Sequence, residues 1–323
     1  MISCRMLRSD STFVELPAPS QWSFSYGAGL PCDSFYIRCP WERGREKELS
    51  DTCLFHADRN GQRVFTGVVD EYTCLCGQDG FYLEVSGRGM AARLLDNESF
   101  AAQYARATLP IILDHHVKPY GIKVAGDPLS PPVSNYCVQR GGSQWSALYN
   151  FTYYRGGIIP RFDTMGRLVL ERFTDDVTLT VDGKSPVTQW SYREQRYGVL
   201  SQVSVRRSSS NQVYRKEDMD FILEGGSASR VLSVPKDTKL IDMRHEAEYQ
   251  LKASQSERVR LYLTLAEGFA AWPGDLVDVR CAAGANGRYH VLRAEVSCDG
   301  RGLSTHLELC EQDAMTYYPL TKE

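Results

Sequence analysis

Asp114, His115 and His116 put three ligand-type side chains in a row, which raises the question of a metal. Neighbouring residues on a helix diverge by about 100°, so adjacent histidines do not easily face one ion. The usual helical pair sits four residues apart, and the position four beyond His115 is Pro119. A structural or surface role is expected for this trio. His56, His245, His290 and His306 are isolated in sequence. The ten cysteines also lack ligand spacing: Cys74 and Cys76 are separated by one residue inside an apparent strand, and Cys32, Cys39 and Cys53 form no pair. They are expected to be reduced, mostly buried, small hydrophobic side chains.

Gly87-Arg-Gly89-Met-Ala-Ala92 has the spacing of a dinucleotide turn, where glycines let backbone approach a pyrophosphate. That fold needs a parallel strand and an acidic residue further on, whereas residues 108–120 read as helix. A tight strand-to-helix turn is expected instead. Gly183-Lys184-Ser185 resembles the end of a phosphate loop, but Thr178 stands where the loop needs glycine and Pro186 blocks a helix. A hairpin turn is expected there. No Gly-x-Ser-x-Gly or Cys-Gly-x-Cys-Trp pattern occurs. Asp70-Glu71 and Asp175-Asp176 read as strand-end charges, and Arg206-Arg207 before Ser208–Ser210 as a short basic run. No catalytic, cofactor-binding or metal-binding residue is expected, and the chain is not expected to be an enzyme.

The elements that would position side chains are mostly strands. Asn-Gly or Asp-Gly dipeptides fall at Asn60-Gly61, Asp79-Gly80, Asp182-Gly183, Asn286-Gly287 and Asp299-Gly300, and they tolerate the positive φ of tight hairpin turns. Between them lie segments rich in β-branched and aromatic residues, such as VFTGVVDEYTCLC, FYLEVS, RLVLERF, VTLTV, VRLYLTL, YHVLRAEVSC and STHLEL. Helices are expected in the middle. One starts at Thr108, tolerates Pro110 in its first turn and stops at Gly121; another is capped by Ser143 and ends at Gly156-Gly157. A third, polar helix covers 241–256 with Ala247 and Leu251 inward and a solvated opposite face.

Length and composition agree with this. The 323 residues suit two or three packed units, and 42% hydrophobic with 24% charged residues excludes wholesale disorder. A net charge of -3 excludes a broadly cationic nucleic-acid binder, and no apolar run approaches a membrane span. The start, MISCRMLRSD, turns polar early, so no secretory leader is expected and the protein is read as kept inside a cell. The same order of strands and turns recurs in the first and last thirds. The expected fold is mainly β with an α+β insert: two similar antiparallel β-barrel domains, residues 1–97 and 176–323, flanking a small helical domain, 98–175.

Three phrases carry a resemblance. VFTGVVDE, then a turn, then FYLEVSGRGMAARLLD, with Gly67 and Gly87, is similar to the bacteriophage tail baseplate hub family, also called late control protein D. GGSQWSALYNFTYYRGGIIPRFDTMGRLVLER resembles that family's helix and hairpin through Trp145, Leu148, Gly157, Gly166 and Leu168. AAWPGDLVDVRC followed by YHVLRAEV resembles its carboxy-terminal signature through Trp272, Pro273, Gly274 and Asp275. The phrases follow the family order. Gly89 departs from it, standing where the family more often has an acidic residue.

The resemblance implies a structural hub: a trimeric, pseudo-six-fold ring joining the hexameric tail tube to the trimeric central spike, with a channel for DNA or tape-measure passage. It implies a phage tail or tail-like bacteriocin as location, assembled in the bacterial host cytoplasm. The partners implied are further copies of the chain, the tail tube protein or its initiator, a separate spike protein, other baseplate proteins and the tape measure protein. Membrane and sequence-specific nucleic-acid partners are not implied. Two alternatives are a tail-associated cell-wall hydrolase and a carbohydrate-binding β module, the latter marked by exposed tryptophans on strands.

Overall fold

The computed structural model describes residues 1–29, 32–78, 80–208, 212–236, 238–281 and 284–312, with backbone alone at 154–156. The first stretch is strands apart from one short 3-10 turn, Glu46–Leu49: β1 (Ile2–Arg8), β2 (Phe13–Leu16), β3 (Gln21–Gly27), β4 (Ser34–Pro40), β5 (Thr52–Arg59), β6 (Gln62–Gly77) and β7 (Gly80–Gly89). Helix α1 (Ala92–Leu95) leads into β8 (Ala102–Ala107), α2 (Leu109–His116), β9 (Val133–Val138), α3 (Gln144–Gly156), β10 (Arg161–Phe162) and β11 (Leu168–Val169). Then follow β12 (Val177–Val181), β13 (Val187–Glu194), β14 (Gln202–Arg207), β15 (Val213–Glu217), α4 (Met219–Leu223), β16 (Ser229–Val234) and α5 (Leu240–Gln255). The chain closes with β17 (Val259–Leu265), β18 (Leu276–Val279), β19 (Gly287–Asp299) and β20 (Gly302–Glu311).

Period-two burial makes the strands. In β1, Ile2, Cys4 and Met6 face inward, and in β4 Phe35, Ile37 and Cys39 do. Phe35 stacks on Phe55 at 3.9 Å between centroids, and Phe24 on Phe65 at 5.4 Å, so aromatic rings fill the centre. Between β5 and β6, Asn60 (φ 51) and Gly61 (φ 79) both take the left-handed conformation that a two-residue hairpin demands. Asp79, of the next expected turn, lies outside the described residues.

The expected pair of β-barrels is not formed. One open thirteen-stranded sheet runs β13-β17-β20-β19-β3-β4-β7-β6-β5-β1-β2, with β18 joined to β19 and β12 parallel to β18. Its two ends, β13 and β2, do not meet, so neither expected unit closes on itself. The reason lies in β19, whose residues Arg293–Cys298 pair antiparallel with Gly27–Trp22 of β3. Turn dipeptides encode local hairpins; closure depends on which distant strands meet, and here the last third docks on the first. One apolar core accordingly extends from Ile2 to Leu309.

The Asp182-Gly183 hairpin is corrected for the same reason. Ser185 N–H does bond Asp182 O at 3.1 Å, but β12 then pairs with β18 and β13 with β17. It is a corner between separate partners. RLVLERF also shortens to a two-residue strand, Leu168–Val169.

Local capping sets the helices. Thr108 is extended before α2, with Pro110 in the first turn, and Gly121 ends the following turn at φ 71. Ser143 Oγ accepts Ser146 N–H at 3.1 Å at the start of α3, and Gly157 (φ 59) caps its end. Their apolar faces share a second core that includes Ile112, Leu148, Phe151 and Leu168. Helix α5 covers the small sheet β15-β14-β16, burying Met243, Ala247 and Leu251 on Val203 and Val205. Its opposite side is not simply solvated, because the Tyr249 ring meets Tyr153 edge-on at 5.8 Å.

Candidate interaction surfaces

The glycines singled out by sequence sit where strands crowd. A Cβ on Gly67 would lie 2.3 Å from the Arg88 carbonyl oxygen, and one on Gly87 would lie 2.0 Å from that of Val68. Both belong to the β6–β7 pair, where Gly67 faces Gly89 and Val69 faces Gly87. Gly89 abuts Asp33 Cβ at 2.7 Å from its own would-be methyl, a packing reason for glycine there. Gly166 (φ 73) seats the β10–β11 hairpin on β6, its would-be Cβ 2.7 Å from Met90 and 2.9 Å from Thr66. Thr66 Oγ1 also donates to Thr164 O at 2.9 Å. Trp145 is 2% exposed inside the helical core, remote in role from any surface.

Trp272, Pro273, Gly274 and Asp275 form one reverse turn. Asp275 N–H donates to Trp272 O at 3.0 Å, Gly274 takes φ 97, and Pro273 precedes it, the pattern of a type II turn. The Asp275 carboxylate accepts Trp272 N–H at 2.9 Å in return. Burial raises the Asp275 pKa, opposed by that bond and by Arg161.

This turn walls a cavity of about 610 Å³, bounded also by the β5–β6 turn and the β10–β11 hairpin. Tyr26 meets Trp272 edge-on at 4.7 Å, and Arg59 lies over Phe269 at 5.0 Å. Phe269 holds φ 61, a left-handed conformation that is uncommon for an aromatic residue. Arg161 donates to Glu171 O at 2.7 Å, and burial lowers its pKa. Sequence reasoning missed Arg59, Arg63 and Arg161, which come together only in the fold; the Trp-Pro-Gly-Asp turn was the one local signal.

The free edges form a second candidate. Among the described residues strand β13 pairs only with β17, and Thr188–Glu194 are exposed, with Trp190 at 40% and Tyr192 at 42%. Strand β2, at the other end, exposes Phe13. Beyond Val68, β6 pairs among the described residues with β7 alone and exposes Tyr72 and Leu75. Unpaired strand edges carrying aromatic residues are sites for adding another chain.

The histidine pair is closer-knit than divergence on a helix suggests. Tyr104 Oη lies 3.0 Å from both His115 Nδ1 and His116 Nε2. Gln144 Nε2 donates to Glu98 O, which turns its Oε1 to accept from His116 Nδ1 at 2.7 Å. His116 Nε2 is then the acceptor for Tyr104 O–H, and the pair serves as a hydrogen-bonded brace among β8, α2 and α3. Among the described residues no group of three or more His, Cys, Asp or Glu side chains is placed to hold a metal ion. All ten cysteines are free thiols, but only Cys4, Cys39 and Cys310 are buried, so the expectation of mostly buried cysteines is corrected. Among the described residues no helix is long and apolar enough to cross a membrane.

No family model and no curated protein sequence matches the chain. Solved structures do. The 43 kDa tail protein of prophage MuSo2 from Shewanella oneidensis superposes with TM-score 0.79 at 16% identity, covering 98% of this chain and 99% of that one. A tail protein from Neisseria meningitidis MC58 gives 0.75 at 18% identity, covering 97% of each chain. The Escherichia coli c3393 protein, a type VI secretion component described as similar to T4 bacteriophage tail proteins gp27 and gp5, gives 0.53 at 11%, covering 93% and 76%. At these identities the likeness establishes the architecture, and the open sheet with its helical insert is the fold of these tail proteins.

Proposed function

We propose that the chain is a non-catalytic structural component of a phage tail or related injection particle, and within it the baseplate hub of the late control protein D type. Three copies form a ring between the tail tube, or its initiator, and a central spike, with other baseplate proteins outside and the tape measure protein or DNA in the channel. The division 1–97, 98–175 and 176–323 and the motif residues Gly67, Gly87, Trp145, Gly157, Gly166 and Trp272–Asp275 are then packing features of that hub. No pseudo-six-fold symmetry is proposed for this ring, since the chain does not form two similar barrels.

The observation that carries this reading is the end-to-end likeness to two phage-type tail proteins, with nearly all of each chain covered. The free edges of β13, β2 and distal β6 support it, since an open sheet with exposed aromatic residues at both ends suits assembly with further copies. Tail-like particles sedimented from the source culture, assayed by quantitative mass spectrometry, are expected to hold this chain at a fixed, low ratio of about three copies per particle. Its absence from intact particles would overturn the reading.

One observation favours the carbohydrate-binding alternative: Trp190 and Tyr192 are exposed on the same face of a strand. Binding of purified chain to bacterial surface glycans, lost in Trp190→Ala, would favour it; binding unchanged in that variant, or no binding, would count against it.

A further inference from the structure

The cavity beside the Trp272–Asp275 turn holds a charge imbalance that packing does not explain. Three guanidinium groups reach its wall. Arg63 is neutralised by Asp58 at 2.6 Å, and Asp163, the one carboxylate in the lining, is neutralised by Arg167 at 2.7 Å. Among the described residues neither Arg59 nor Arg161 forms an ion pair, although the Glu171 and Asp275 carboxylates act on Arg161 from longer range. Arg59 donates only to Gly268 O, at 3.2 Å, and Arg161 only to Glu171 O. A half-buried guanidinium without a close ion-pair partner is costly, and burial lowers the Arg161 pKa against the pull of Glu171 and Asp275.

Beside Asn60, Gln62 and Thr164 the wall carries an apolar side that includes Phe269 and Trp272 and is held at some expense. Phe269 keeps a left-handed backbone that places its ring between Arg59 and Trp272. A cavity of about 610 Å³ is in the range that takes a ligand of several side chains. A bare inorganic anion would satisfy the arginines and leave the half-buried Phe269 and Trp272 uncovered. An acidic peptide segment that also carries an apolar side chain covers both.

We propose that this cavity is a docking site for an acidic segment of a partner protein, with a carboxylate of that segment between Arg59 and Arg161 and an adjacent apolar side chain against Phe269 and Trp272. The proposal goes beyond the tail-hub reading and does not depend on it. Calorimetric titration of the full chain with acetyl-Glu-Phe-Glu-amide tests it, with acetyl-Gln-Phe-Gln-amide and inorganic phosphate as comparison probes. The acidic peptide is expected to bind saturably, at least about tenfold more tightly than either comparison, since a charge-assisted bond to guanidinium is lost in the first and apolar contact in the second. Arg59→Gln is expected to weaken the acidic peptide by about tenfold with the cooperative melt retained, because Arg59 contributes one backbone hydrogen bond and a ring contact with Phe269. The Gln-Phe-Gln comparison needs no variant and stands if Arg59→Gln fails to fold. No saturable binding, equal binding of the Gln peptide, or an Arg59→Gln variant that folds and binds undiminished would overturn the site. Phosphate binding as tightly as the peptide would overturn the protein-segment occupant in favour of a free anion.

Discussion

Asp33 follows β3 and is 7% exposed, its carboxylate accepting Gly27 N–H at 2.8 Å while its own carbonyl accepts Gly89 N–H at 2.7 Å. No cation pairs with it among the described residues, and burial pushes its pKa up to about 7. Between the ordinary carboxylate range and pH 7 the folded chain keeps a proton that the unfolded chain has released. Stability from this group therefore falls as pH rises through that window. Asp33→Asn is expected to be more stable than the parent at pH 8 by up to roughly 4 kcal/mol, at about 1.4 kcal/mol per pH unit, and near parity at pH 4. Urea unfolding at both pH values checks it, and a constant difference would contradict it. At Gly87 the constraint is steric: a methyl would meet both the Val68 carbonyl and, at 2.7 Å, the Phe35 ring. Gly87→Ala is expected to cost about 3 kcal/mol or more, and Gly183→Ala, with open space around it, within about 0.5 kcal/mol. Thermal melts of the two variants give the contrast.

Strand β13 is the element with most unexplained exposure. Its aromatic side chains contribute little to the monomer core, so Trp190→Lys with Tyr192→Lys is expected to leave monomer stability within about 1 kcal/mol while abolishing the self-association proposed above. Light scattering behind size exclusion, run on parent and variant, reads the outcome; an oligomer of unchanged mass in the variant would remove β13 from the interface. The same strand shows what sequence does and does not reveal. Ser143, Gly157, Pro110 and Gly121 are local caps, legible because each acts on residues within one turn. β13 carries no burial alternation, since both of its faces are open, and so it has no period to detect. The candidate cavity was hidden for a further reason: Arg59, Arg161 and Phe269 lie on three segments that only tertiary packing gathers. The Trp272–Asp275 turn was visible because proline and glycine write a type II turn into four consecutive letters.

At the scale of the whole molecule, residues 195–258 form an excursion from the main sheet. Glu194 pairs with Val259, and Gln195 N–H bonds Arg258 O at 2.7 Å, so the segment leaves and returns at one point. It has its own core around Val203, Val205 and Met243. Replacing 196–257 with Asn-Gly is expected to keep the main sheet folded, with a single cooperative urea transition and a loss below about 3 kcal/mol. Loss of the near-ultraviolet circular dichroism of the aromatic core would show that the excursion is integral instead. The main sheet itself is joined across its middle by β3 and β19, where Arg293 Nε reaches Ser25 Oγ from 268 residues away. On the ribosome, β3 therefore emerges long before its β19 partner. Until then one edge of the Trp22, Phe24 and Tyr26 strand stands open beside a half-built core, so emergence of β19, rather than of the first third, starts completion of the fold.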